Sequence, residues 1–341
     1  MESLAERILD VSSKKRHSIF RKSLIRTIFF AALILFAAST FGAYNQSQLS
    51  LVLIYFIGVL SVTLLTGTSG QLSLGQGALM ALGGYSSALA MIHLQYSIWL
   101  AVPVAMIVAA LAGLLLGLAA ARLSGPYLAG TTLVIALAIP TIASRFFSIF
   151  KGDEGLFMES GYPPAWLTNL IGEISFEEWE LYIVLPFALI ALFFASNILL
   201  SRTGRVWKSI RDNENAAALS GVNFSREKIF VFVIASAFAG VAGALYGMRG
   251  IVAPSVYPVS LSLALLTAAV LGGIRSIAGA FIGTVIVVFL PDWINLVLGN
   301  FEMSTQVSDF LPALLSGLLL IATVVINPAG VMGGSHLHKK K

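Results

Sequence analysis

Apolar residues run along this chain in blocks about as long as a bilayer is thick, and polar residues gather between the blocks. A spanning helix needs roughly 20 mostly apolar residues. Ten such blocks are legible, at 24–43, 49–65, 72–92, 98–121, 127–146, 181–200, 229–248, 261–271, 277–298 and 310–326. The pattern predicts an all-α, polytopic integral membrane protein with about ten transmembrane helices. The block at 261–271 is short for a crossing, so it is either a half-span or begins earlier, near Val256. The first block is longer than the apolar core of a signal peptide, about 7–15 residues, and is expected to be retained as a helix.

Charge orients the blocks. With the N-terminus inside and strict alternation, 18 of the 21 Lys and Arg fall on the inner side. Only Arg145, Lys151 and Arg249 fall outside. That skew is the positive-inside signature and predicts both termini in the cytoplasm. The expected parts are a basic segment 1–23, a membrane domain 24–327 and a tail 328–341. Within the domain, 147–180 is an external loop and 201–228 a cytoplasmic one.

Composition closes off other classes. Of the 341 residues, 57% are hydrophobic and 11% charged, against about 25% charged in soluble domains. No polar stretch is long enough for a large soluble domain. The chain has no cysteine, which excludes disulfides and thiolate metal sites. Its four histidines, His17, His93, His336 and His338, are scattered, and no metal site is expected. The net charge of +5 sits at segment ends and speaks of membrane orientation, not of nucleic acid.

Several stretches carry candidate mechanism. Residues 66–85 read TGTSGQLSLGQGALMALGGY, with six glycines among polar Ser69, Gln71, Ser73 and Gln76. Each interior glycine costs a helix about 0.5–1 kcal/mol against alanine. Either the small residues let helices approach closely, or the backbone breaks and offers polar groups to a solute; the Gln and Ser side chains favour the second. Residues 271–283, LGGIRSIAGAFIG, form a second glycine-rich element, and Gly70-x-x-Ser73 echoes Gly273-x-x-Ser276. Ser124-Gly125-Pro126-Tyr127 marks a third break. The external loop carries Asp153, Glu154, Glu159, Glu173, Glu177, Glu178 and Glu180 against one lysine, together with Trp166 and Trp179. It reads as a solvated loop or as a docking face for an external partner.

The polar loop 202–228 holds six Lys/Arg and three Asp/Glu around a helix-prone run, 207–219. Arg211 and Glu214, three apart, are placed to pair on one helix face. No ionisable group stands at mid-depth in a span, which argues against an ion-coupled carrier. No Gly-Lys dipeptide exists, so there is no GxxxxGK[ST] phosphate loop. The simplest reading is a pore-forming, non-catalytic subunit whose ATPase is a separate chain.

Four blocks resemble the permease subunits of branched-chain amino acid ABC importers, of the second-permease type. They are 67–85, with Gly84 in place of the usual Gly-Ala; 125–133, with Ser124 where the family has a basic residue; RDNENAAALSGVN at 211–223; and 270–283 with Pro291-Asp292, where Arg275 and Ala280 depart from the pattern. The resemblance implies a bacterial inner-membrane importer. It implies a homologous second permease, two ABC ATPases that bind the ATP and magnesium, and an external solute-binding protein, with lipid around them. This chain itself holds no cofactor. A cytoplasmic helix inserts into the ATPase, with Trp207, Arg211, Glu214, Asn215, Ala216, Ala217 and Gly221 as coupling candidates. Gly221 suits a left-handed helix end. Asn215 stands where the general importer pattern has Glu. Gly70, Gln71, Ser73, Gly75, Gln76, Tyr85, Thr131, Thr132, Gly273 and Ser276 are candidates for the solute path. The cargo is expected to be a branched-chain amino acid. The same machine importing urea, amides, sugars or nucleosides stands as the alternative, with an ion-coupled carrier or a membrane scaffold as rivals from other classes.

Overall fold

The computed structural model of the chain describes residues 4–123, 125–158 and 161–298, with further positions between 311 and 332. Helix α1, Leu4–Thr40, is continuous because no Gly or Pro interrupts it. Helix α2, Ala43–Val62, runs into a π-helical turn, Thr63–Thr68, and stops. After an irregular 69–75 come α3, Gln76–Leu94, α4, Ile98–Ala120, and α5, Pro126–Arg145. The following loop carries α6, Phe147–Phe150, a 3-10 turn, β1, Leu156–Phe157, and α7, Ala165–Ile171. Helix α8, Phe176–Leu200, leads through α9, Arg202–Asp212, and α10, Glu214–Leu219, to α11, Phe224–Met248. Then come β2, Ile251–Val252, a 3-10 turn at Pro254–Val256, α12, Val259–Gly272, and α13, Ile277–Leu298.

Among the described residues, nine helices are long and apolar enough to span. The expected tenth block, 310–326, falls largely outside the described residues. The short block at 261–271 does begin earlier: α12 with its preceding 3-10 turn runs Pro254–Gly272, long enough to cross. Helix α8 also starts upstream of its apolar block, since Ser175 accepts a hydrogen bond from the Glu178 amide and two glutamates occupy the first turn.

Helix α2 is the axis of the molecule: 83% of its apolar window is buried, and α8, α11, α12 and α13 pack around it. In a bilayer the helices gain nothing by merely leaving lipid, so association depends on close contact between small residues. Helix α11 shows this on two sides. A Cβ at Gly243 would stand 1.8 Å from the Met80 carbonyl oxygen, and one at Gly83 would stand 2.2 Å from that of Gly240. On its other side Gly240 faces Ala105 of α4, where a Cβ would lie 2.6 Å from the carbonyl oxygen. The glycines at 77–84 therefore serve packing, one of the two readings their density allowed.

At the end of α8 remote from α9, Arg249 donates to Glu180 at 2.7 Å and to the carbonyl and hydroxyl of Ser47 at 2.9 Å each. This ties α2, α8 and α11 together. Glu180 is buried, which corrects its placement among the solvated acids of the external loop. Strands β1 and β2 pair antiparallel, Leu156 opposite Val252, and fasten that loop to the turn after α11.

Glycine substitutions separate packing from propensity. Gly243→Ala should lower the thermal unfolding midpoint of the detergent-solubilised protein, with overpacking costing about 1–3 kcal/mol. Gly130→Ala, at a position with nothing within 4 Å, should raise the midpoint or leave it unchanged, because alanine favours the helix by about 0.5–1 kcal/mol. A Gly243→Ala protein as stable as the parent would contradict the close-packing account.

Candidate functional site

Three side-chain caps build the polar loop after α8. Ser201 accepts from the Gly204 amide at 3.4 Å, Asn213 from Ala216 at 2.9 Å, and Asn223 from Arg226 at 3.1 Å. The sequence predicts one helix over 207–219. The structure has two, because Asn213 turns extended (φ −161°) and caps the second. Gly221 ends α10 with φ +82°. The Gly221 amide bonds Ala218 O at 2.9 Å, and Val222 bonds Ala217 O at 3.1 Å. These are the paired bonds of a left-handed helix end that glycine allows, as the sequence anticipates.

The coupling candidates divide by burial. Trp207 is fully buried among Leu64, Leu65, Val231 and Phe232, and its Nε1 donates to Glu227 at 2.8 Å. Ala217 is buried, whereas Asn215, Ala216 and Gly221 are exposed. The expected Arg211–Glu214 pair does not form. Arg211 donates to Asp212 Oδ1 and to the carbonyl of Gly67 at 2.9 Å. Glu214 instead accepts from Lys228 Nζ at 2.8 Å on both oxygens. The pair fails because the extended Asn213 puts Arg211 and Glu214 on separate helices, so they share no helix face. Sequence reasoning missed Leu219. It sits on the solvent-facing end of α10, 91% exposed, and a bare leucine in a loop otherwise rich in charge was the available signal.

The two glycine-rich breaks have the same form. Gly70 (φ +76°) and Gly273 (φ +116°) both leave the helix in conformations that glycine tolerates. Each is followed three residues later by a serine that receives an amide: Ser73 from Gly75 at 3.3 Å and Ser276 from Gly279 at 3.2 Å. The first break is closed by its own polar side chains. Ser69 donates to Leu65 O, Gln71 Nε2 to Ser69 Oγ, and Thr66 to Gln71 O. Thr132 of α5 receives the Leu74 amide at 2.9 Å, and Ser262 of α12 receives that of Gly77 at 2.8 Å. Ser61 contacts Gln76 Oε1 at 3.1 Å.

Gln71, Ser73, Gly75, Gln76 and Thr132 are thus buried against their own chain, with Gly70 exposed. Thr131 and Ser276 are half-buried, Gly273 is buried, and the Thr131 hydroxyl bonds Tyr127 O. Tyr85 lies apart from the breaks, its ring against Phe150 at 5.0 Å and near Tyr257 at 6.4 Å. Ser124 lies outside the described residues. The segment α9 meets the first break directly, since a Cβ at Gly70 would lie 2.7 Å from Arg211 Cγ, and the two breaks meet each other, since one at Gly67 would lie 1.8 Å from Ile274 O.

At the opposite end of α8, a groove of about 690 Å³ is lined by Tyr96, Trp99, Phe157, Tyr162 and Trp179 among others. The Trp179 Nε1 donates to Gly161 O at 3.0 Å and fixes one wall. None of the candidate path residues lines this groove.

A family model described as "Branched-chain amino acid transport system / permease component" matches residues 45–324. The chain is similar to the high-affinity branched-chain amino acid transport system permease protein LivM of Salmonella typhimurium, 29% identical over 303 residues that cover 83% of this chain and 68% of LivM. It is also similar to LivH of the same organism, 27% identical over 84% of this chain and 93% of LivH. BraD of Pseudomonas aeruginosa is 26% identical, over 84% and 93% of the two chains. No solved structure matches. One family model thus takes in α2 through α13 with both breaks and the polar loop between α8 and α11, and the chain belongs to the permease components of branched-chain amino acid transport systems.

Proposed function

We propose that this permease is one of two homologous membrane subunits of an ATP-driven importer in a bacterial inner membrane, with both termini in the cytoplasm. Its relatives are named for branched-chain amino acid transport, and we assign the same cargo class here. The observation that carries the reading is the form of the α9–α10 segment. It is a short, doubly capped helix with a bare leucine, 91% exposed, at its end, and its root is bonded to the first break. An exposed apolar tip on a charged loop is an anchor for a partner. The partner that fits is an ATPase subunit, which binds the ATP and magnesium.

The solute path runs between this subunit and the second permease. That agrees with the buried side chains of Gln71, Ser73 and Gln76, which are hydrogen-bonded within this chain. The acidic loop and aromatic groove at the far end of α8 form the face on which a solute-binding protein docks. With Asp153, Glu154, Glu173 and Glu177 in the same loop region as exposed Tyr162, the partner's contact surface is basic and apolar.

Reconstitution tests the whole. The chain, its second permease, the two ATPases and the binding protein in proteoliposomes should take up leucine only with ATP and binding protein present. Uptake of urea, an amide or a sugar instead would keep the importer and change its cargo. Uptake driven by a sodium or proton gradient without ATPases would overturn it. Leu219→Asp should abolish retention of the ATPases during purification while the subunit's unfolding midpoint stays within a few degrees of the parent. Full ATPase retention in Leu219→Asp would remove α10 as the anchor.

A further inference from the structure

Gly67 is a meeting point of three segments. It lies in the last turn of the helix formed by α2 and its π-helical extension, where carbonyls lack partners further along the helix. Its carbonyl accepts from Arg211 Nη1 of α9 at 2.9 Å. Its α-carbon abuts the second break, so closely that a Cβ would stand 1.8 Å from Ile274 O. Arg211 is aimed by its neighbour: Nε and Nη2 donate to Asp212 Oδ1 at 2.9 Å and 2.8 Å. Gly70, at φ +76°, leaves the room in which the arginine stem lies.

A guanidinium on a helix-terminal carbonyl gains both a charge-assisted hydrogen bond and the favourable end of the helix dipole. Other polar ties of the segment go elsewhere. Lys228 and Glu227 bind α10 and α9 to α11, not to the breaks. Trp207 packs α9 on Leu64 and Leu65 of the same turn as Gly67, but that apolar contact is non-directional, whereas the Arg211 bond is directed at the Gly67 carbonyl.

We propose that Arg211 is the positioning residue that links the coupling segment to both helix breaks through Gly67. A displacement of α9 is delivered along the Asp212–Arg211–Gly67 line, and Gly67 passes it to the second break by direct contact with Ile274. This deepens the importer reading and rests on it. Arg211 touches no solute; it acts through the backbone of the break.

The test uses the reconstituted complete assembly and reads leucine taken up per ATP hydrolysed. Arg211→Ala should lower that ratio about tenfold, the scale of one charge-assisted hydrogen bond. Arg211→Lys, whose ammonium can still reach the carbonyl, should recover most of the loss. Gly70→Ala, which displaces the arginine stem without removing it, should lower the ratio in the same direction. Ratios within twofold of the parent in both Arg211→Ala and Gly70→Ala would overturn the proposal. Failure of both to assemble would make Arg211 a folding contact and overturn it too. If instead the parental assembly itself shows no ATP-dependent uptake of any solute, the importer reading fails, an outcome separate from unchanged ratios in the variants.

Discussion

A backbone that leaves the helix inside a bilayer has to find partners for its amides and carbonyls within the protein, because lipid offers none. The stretch 69–75 meets this demand from four directions. Its own Ser73 takes the Gly75 amide, α5 supplies Thr132 for Leu74, and just past it α12 supplies Ser262 for Gly77. The turn before it receives Arg211 from α9. Stretches far apart in the chain are drawn to one place because an uncovered break would be prohibitively expensive. Ser73 turns inward to serve this backbone, while Gln71 and Gln76 are held by the side chains of Ser69 and Ser61.

Small residues make the convergence sterically feasible. Gly67 accommodates Ile274 O, Gly75 accommodates Thr132, and Gly272 accommodates Gly279, where a Cβ would stand 1.8 Å from the carbonyl oxygen. Glycine's conformational cost is repaid here by backbone contacts that no larger residue permits. Packing and breaking, which stand as alternatives in the sequence, are two uses of one glycine-rich stretch: 67–75 breaks, and 77–84 packs.

Much of this was legible in the sequence where the signal is local. Span positions follow from apolar block length, and the end of α10 follows from Gly221. The twin breaks follow from Gly70-x-x-Ser73 and Gly273-x-x-Ser276. The failures share a cause as well. Asn213 reads as a residue inside a helix until its side chain is seen capping α10. Arg211 and Glu214 read as a pair because a sequence shows only spacing, while Gly67 and Lys228 are partners 144 and 14 residues away. Trp207 stands among the coupling candidates, yet it is buried, since nothing in the sequence says which face of α9 turns inward. Glu180 reads as one acid among seven until Arg249 is found beside it.

The two ionic knots then divide the labour along the α2 axis. At one end Arg249 holds Ser47 and the buried Glu180, joining α2, α8 and α11 through a part-buried pair. At the other end Arg211 holds only the last turn of the same helix, with its partner Asp212 exposed, where an ion pair is worth about 0–1 kcal/mol. The body of α2 is packed on nearly every side, whereas the turn at Thr63–Thr68 is π-helical, a form found mostly as single turns and often at functional sites. That turn is nonetheless as buried as the body of the helix, held by Trp207 against Leu64 and Leu65 and by Ile274 against Gly67. On the importer reading, a displacement of α9 therefore meets the two breaks through a packed turn, where Arg211 bonds the Gly67 carbonyl and Gly67 abuts Ile274.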